Sequence, residues 1–330
     1  MCGNSNEGYS GDNVAAVTTK LNTPTGVAVL SDGDIVIADT NNHRVRTVTT
    51  KGIISTFAGN GVKGFSGDSG IAIDTRLNYL TSVAVTNNGE IVISDSGNRV
   101  IGKVDKNGII TTIGGNNGID GFRGDGGSAL NALLSNVGEI VVTDNGDILF
   151  ADTGNSRIRK VTTSGVITTI AGSGVASFSG DGDLATSATL NYPQSVAYLN
   201  GEIYVADTGN HRIRKILANG TITTIAGSGG AGYCGDGGLA INACVNRPVS
   251  VVVNNTGDVF ISDEDNHTVR KIDTNGIIST FAGTYGSYGY RGGSGLATSA
   301  TLHSPRGLAI NHEGELLIAD NGNDVLRKVD

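Results

Sequence analysis

Eleven aspartates recur at regular intervals and form the most conspicuous chemical pattern in the chain. One series is Asp39, Asp95, Asp152, Asp207, Asp263 and Asp320, spaced by 56, 57, 55, 56 and 57 residues. The other is Asp12, Asp68, Asp125, Asp181 and Asp236, broken by Gly293 where a sixth member would fall. Carboxylates can hold a metal, move a proton or organise a turn. A cation site needs several oxygens converging on one point, whereas one carboxylate per repeat is spread around the molecule. The first series therefore reads as structural, each Asp accepting from the amides of its own turn, and the second as turn or capping residues before a short Ala-rich segment. His43, His211 and His267 share one turn position in three repeats. Equivalent positions on a ring do not meet, so no metal and no cofactor are expected. Arg46, Arg159, Arg214, Arg270 and Arg327 form a matching cationic series, expected to pair with acids between repeats. Tyr9, Phe65, Phe122, Phe178, Tyr233 and Tyr290 form an aromatic one, expected to plug each loop onto its own repeat. No catalytic residue is expected, because no Ser-His-Asp order, HExxH, P-loop or paired-carboxylate signature occurs.

A period this steady over 330 residues means one supersecondary unit copied six times. Within a unit, Pro193 to Leu199 begins an inner strand and Asn200-Gly201 a tight hairpin turn. The second strand runs 202–206, the Asp207-Thr-Gly-Asn210 turn leads to a third over 212–216, and Asn219-Gly220 turns the chain into a fourth over 221–227. Alternation of Ile or Phe with Thr in the last strand is that of a sheet packed on its neighbour. Four antiparallel strands repeated six times give an all-β fold, a six-bladed β-propeller forming a single domain over residues 1–330.

Blade 6 is expected to lack most of its outer strand. The chain stops at Val329-Asp330, and Met1-Cys2-Gly3 aligns only with the end of such a strand, Ile225-Ala226-Gly227. The edge from Val325 to Val329 is then open to pair with another segment or subunit. The chain also begins and ends inside a repeat, as a mature portion or a fragment would.

Strand direction places the long loops and the Asp turns on one face and the two-residue Asn-Gly turns on the other. Binding should favour the loop-rich face. There the blades differ most at the first turn of the inner strand, where Thr25, Thr81, Gly138, Gln194, Val249 and Arg306 occupy one position and Glu139 lies one residue further on. Thr25, Thr81, Glu139, Gln194 and Arg306 are the ligand-binding candidates, with Glu139 and Arg306, from opposite blades, polarising the mouth.

A net charge of −8 and a pI near 5.1 argue against nucleic-acid binding, which needs clustered Lys and Arg. No apolar run approaches the roughly 20 residues a membrane span requires. Cys234 and Cys244 fall in one loop and make a candidate disulfide, which would place the chain in an oxidising compartment; free buried thiols are the alternative. Sequons at Asn219, Asn254 and Asn266 fit a secreted protein.

The stretch Ala206-Asp207-Thr208-Gly209-Asn210-His211-Arg212-Ile213, with the strand before it, closely resembles the NHL repeat, and all six units resemble it. The match is looser in blade 2, where Val100 and Gly102 replace arginines, in blade 5 at Glu264 and Asp265, and in blade 6 at Asp324. Loops reading Gly-Phe-Ser-Gly-Asp are similar to those of extracellular sensor or adhesion NHL propellers. That resemblance implies a non-catalytic scaffold binding a protein, peptide or glycan through the loop-rich face, outside the cell or at its surface. The alternative is a lyase or hydrolase using the axial cavity. Amidating lyases of similar fold use a metal with catalytic Tyr and Arg, for which no matching motif is present, and RNA-binding NHL domains use a basic face.

Overall fold

The computed structural model describes residues 2–66 and 68–330. Six antiparallel sheets follow one another along the chain, each running from an inner strand at the axis outward. Blade 4 is representative, with strands Ser195–Leu199, Glu202–Asp207, Arg212–Ile216 and Ile222–Ala226. The inner strands of consecutive blades pack together, and Pro24–Val29 of blade 1 meets Pro305–Ile310 of blade 6, closing the ring. Among the described residues the only helical pieces are three-residue 3-10 turns. Blades 1 and 2 add a fifth, two-residue strand outside, Val14–Ala15 and Gly70–Ile71.

The core lies between the sheets. Each of the six inter-blade junctions has its own cluster of buried aliphatic residues. At the junction of blades 4 and 5, Ile213, Ala226, Val251 and Ile261 are fully enclosed. Burying one such Ile side chain contributes about 1.5–3 kcal/mol, so the alternating strand pattern is what holds neighbouring blades together. A small residue at the end of the fourth strand from the axis in blades 1 to 5, Ala58, Gly114, Ala171, Ala226 and Ala282, lets the following turn come close to its neighbour. After Ala226 comes Gly227 with φ +91, where a Cβ would strike the carbonyl of His211.

Blade 6 has three full strands, Pro305–Ile310, Leu316–Asp320 and Val325–Val329. Cys2 exchanges backbone hydrogen bonds with Leu326, its amide donating at 3.3 Å and its carbonyl accepting at 2.8 Å. It thereby takes the place Ala226 holds opposite Ile213. Gly3, with φ +95, repeats Gly227. Only this end of an outer strand is supplied, and beyond it Val325–Val329 borders an open groove lined by Leu296, Arg327 and Val329. Met1 lies outside the described residues.

Candidate functional site

Each Asp of the first series sits at the end of a second strand, where the chain makes a 3-10 turn closed by a left-handed residue. Asp207 accepts from the Asn191 amide at 2.8 Å, from Asn210 Nδ2 at 2.8 Å and from Arg214 at 3.3 Å. Asp39, Asp152, Asp263 and Asp320 repeat this arrangement with Arg46, Arg159, Arg270 and Arg327 at 3.4–3.5 Å. The other end of four of these guanidiniums reaches the second series, Asp12, Asp125, Asp181 and Asp236, at 2.6–3.0 Å, whereas Arg327 donates to the carbonyls of Arg291 and Gly292. The arginines thus pair within a repeat, correcting the expectation of pairing between blades. The second-series acids do not cap the Ala-rich segment; Asp125 also accepts from the Thr169 amide of the outer strand at 3.1 Å. Strand geometry explains this, because the loop ahead of each blade folds back over that blade's third and outer strands. Five of the six aromatics lie beneath arginines, with Phe122 under Arg157 at 3.6 Å and Arg159 at 4.9 Å. Burial pushes Asp39, Asp152 and Asp263 up to about 6 despite these donors.

In four blades the left-handed turn residue links one blade to the next. Nδ1 of His43, His211 and His267 accepts from the amides of Tyr79, Arg247 and Ser304 at 3.4, 3.1 and 3.1 Å. Asp324 Oδ1 does the same for Thr23 at 2.7 Å, across the closure of the ring. These histidines hold blades together as neutral acceptors, and burial holds their pKa values below the usual range. A second set of links ends on the first residue of an inner strand or, in blade 4, two residues ahead of it. Thr40 donates to Leu80 O at 2.8 Å, Thr153 to Pro193 O at 2.7 Å, Thr208 to Pro248 O at 2.7 Å and Asn321 to Pro24 O at 3.0 Å.

The axial mouth on this face opens into a cavity of about 720 Å3. Thr25, Thr81, Glu139, Gln194 and Arg306 all line it, together with Ser250, Val249 and Tyr79. Four of the five candidate side chains already have partners. Thr25 and Thr81 donate to the carbonyls of Leu80 and Val137 in the next blade, at 3.0 and 2.6 Å. Arg306 is held by Glu264 at 2.8 Å, with Arg247 on the same carboxylate at 3.3 Å. The Glu139 to Arg306 polarisation expected across the mouth is therefore replaced by a neutralised Arg306 and a single axial anion. The Glu139 carboxylate accepts from Ser250 Oγ at 3.0 Å and has no cation within 4 Å among the described residues. Burial pushes it up to about 7, against the hydrogen bonds of Ser195 and Ser250.

Around the rim stand Thr23, Tyr79, Asn136, Tyr192, Arg247 and Ser304, all with φ between +46 and +52. Such backbone is costly for a non-glycine residue, and four of the six are fixed by the His and Asp links above. Tyr79 and Tyr192 are about half exposed. On blades 5 and 6 the same face carries stacked Tyr233 and Tyr285 with ring centroids 4.1 Å apart, and Tyr288 against His267 and His303. Sequence reasoning missed this rim, although it is a variable position directly ahead of five inner strands and three residues ahead of the Ser195 start in blade 4. It also missed Glu264, which its departure from the Asp-Thr-Gly-Asn turn could have flagged. Cys234 and Cys244 lie opposite each other in their loop and form a disulfide, Cα atoms 4.8 Å apart.

The family model of the NHL repeat matches residues 21–47 and 190–216, and that of the teneurin NHL domain matches 229–291. Mouse teneurin-4 is 26% identical over 347 aligned residues, covering 93% of this chain and 12% of the teneurin. The chain thus spans about an eighth of the length of that relative. A Bacteroides thetaiotaomicron protein of unknown function superposes with a TM-score of 0.72 at 19% identity, over 99% of this chain and 74% of that one. A streptogramin B lyase does so at 0.60 and 15%, over 97% and 96%. These structural likenesses show the fold alone. No helix is long and apolar enough to cross a membrane among the described residues.

Proposed function

Because the chain is an NHL-repeat β-propeller, we propose that it is a non-catalytic interaction module, working outside the cell or at its surface, that engages a protein, peptide or glycan through its loop-rich face. The observation that carries this reading is the contrast between faces. One is trimmed to two-residue turns, whereas the other presents a variable, conformationally fixed rim with exposed tyrosines around a cavity floored by one carboxylate. Tyrosine offers large contact area at small entropic cost. Glu139 would select a cationic or hydrogen-bond-donating group and Gln194 would orient it. Similarity to the teneurin NHL domain and the Cys234 to Cys244 pairing support the extracellular placement.

A second reading follows from Glu139 itself. A carboxyl held near neutrality beside two serine hydroxyls could act as a general acid or base in a lyase- or hydrolase-type site. Probing wild-type and E139Q protein against peptide, glycan and cell-surface ectodomain collections, with product analysis of every ligand recovered, separates the two. Stoichiometric binding without product, weakened by Y79A and E139Q, supports the interaction module; turnover abolished by E139Q replaces it with the enzyme.

A further inference from the structure

Blade 2 retains the aromatic ring and both carboxylates that its sister blades use to hold an arginine, but neither arginine position of its third strand carries one. In blades 1, 3 and 4 the first arginine of the third strand covers the loop aromatic at 3.6–3.9 Å, and the second bridges the two aspartates. The corresponding residues of blade 2 are Val100 and Gly102. Register makes the equivalence direct: Gly102 pairs with Ile93 as Arg214 pairs with Val205. The receptor half is complete. Phe65, Asp68 and Asp95 line a small cavity beside Gly102. Asp95 is 2% exposed and accepts from the Asn78 amide at 2.8 Å and Asn98 Nδ2 at 2.7 Å, keeping the two bonds its counterparts have while lacking the cation. Asp68 accepts from the Thr112 amide through Oδ1, as Asp125 does from Thr169, which leaves the oxygen that in blade 3 faces a guanidinium. Asp95 is accordingly pushed higher than its counterparts.

We infer that blade 2 is a binding site for a guanidinium group, presented as the arginine side chain of a partner protein. Four sister blades show the bound arrangement within the same molecule: a flat cation over an aromatic ring, bridging two carboxylates. A compact ammonium cannot span both acids and stack as well. Arg76 lines the same cavity on an exposed loop position, with no carboxylate within 4 Å of it among the described residues. It marks the side from which a guanidinium enters and must move aside for it. The inference is independent of the axial mouth.

The test is thermal unfolding of the wild-type chain at pH 8 in methylguanidinium chloride, against methylammonium chloride and NaCl at equal ionic strength. Gly102→Arg supplies the guanidinium covalently, and a Cβ there makes ordinary contacts, with Ile110 side-chain atoms from 3.4 Å and the Thr111 carbonyl at 4.0 Å. The expected results are a methylguanidinium-specific rise of at least about 1 °C in wild type, a higher starting Tm and no such rise in G102R, and no rise in D95N. Should G102R not fold, D95N carries the comparison. Equal responses to the three salts, or a response surviving in D95N, would overturn the site. A lowered Tm in R76A together with a new methylguanidinium response would make Arg76 the occupant and overturn the inference too. Blocked Gly-Arg-Gly should reproduce the rise and Gly-Lys-Gly should not; a rise with methylguanidinium alone would refute the partner arginine in favour of a small guanidino compound.

Discussion

Replacing Arg214 with Met removes a guanidinium that is fully buried between Asp207 and Asp181, at 3.3 and 2.7 Å, while preserving most of its apolar volume. Asp207 keeps its bonds from Asn191 and Asn210 but loses its counterion. Breaking a buried pair from one side costs about 3–5 kcal/mol. At about 2.1 cal/mol/K per residue, the 330 residues unfold with an entropy of roughly 0.7 kcal/mol/K, so the Tm should fall by about 4–7 °C. Arg212, two residues away, is the control. It stacks on Phe178 at 3.7 Å and donates to the carbonyls of Asn210 and Ser228 near solvent. R212M should cost only about 1–2 kcal/mol, or about 1.5–3 °C. The R214M deficit should narrow between pH 8 and pH 5, because Asp207, already raised by burial, takes up a proton once its cation is gone. Differential scanning calorimetry of the three proteins at both pH values measures all of this. An R214M Tm within about 1 °C of wild type, or an R212M loss as large as that of R214M, would refute the reasoning.

Other outcomes follow from the same structure. Asp324→Ala removes the link to the Thr23 amide that joins blade 6 to blade 1, and should lower Tm by about 2–3 °C in the same calorimeter, given about 1.5–3 kcal/mol for a hydrogen bond to a charged group and its partial exposure. Asp95 is raised to about 7, so its share of stability is full below the unfolded carboxylate pKa and is lost as pH rises through 7. D95N should therefore gain on wild type by about 2–4 °C between pH 5 and pH 8. His43, His211 and His267 act with the opposite sign: their folded pKa values are depressed, so the stability they give is present above the usual histidine pKa and is lost on acidification. The triple change to Asn should flatten the acid limb of a Tm-against-pH profile. Replacing Cys234 and Cys244 by Ser opens a crosslink spanning 10 residues and should cost about 2–3 kcal/mol, about 3–4 °C, with no further loss on adding reductant.

Architecture was legible because it is written in intervals. The 55–57 residue period, the Asn-Gly turns and the Ile/Thr alternation each state a backbone requirement locally, and repetition makes them unmistakable. The short outer edge of blade 6 could be read in the same way, by aligning Cys2-Gly3 with Ala226-Gly227. Partners of individual side chains were not legible. Whether Arg214 faces its own blade or the next depends on how the loop holding Asp181 folds back, a distance of 33 residues along the chain. Arg306 could be assigned to the mouth from its position, but its capture by Glu264 required knowing that the turn of blade 5 reaches over the inner strand of blade 6. The rim escaped notice because its common feature is a left-handed backbone shared by Thr, Tyr, Asn, Arg and Ser. No residue type announces it.

Hydrogen-exchange footprinting of the chain with a ligand recovered from the ectodomain, peptide or glycan screens locates binding at the rim and mouth of the loop-rich face or away from it. Protection should concentrate at the amides flanking Tyr79, Tyr192 and Glu139, and affinity should fall at least about tenfold in the Y79A/E139Q variant, the scale of a contact worth 1.4 kcal/mol. Protection confined to the Asn88-Gly89, Asn145-Gly146 and Asn200-Gly201 turns of the opposite face, with unchanged affinity in Y79A/E139Q, would contradict binding at the rim and mouth.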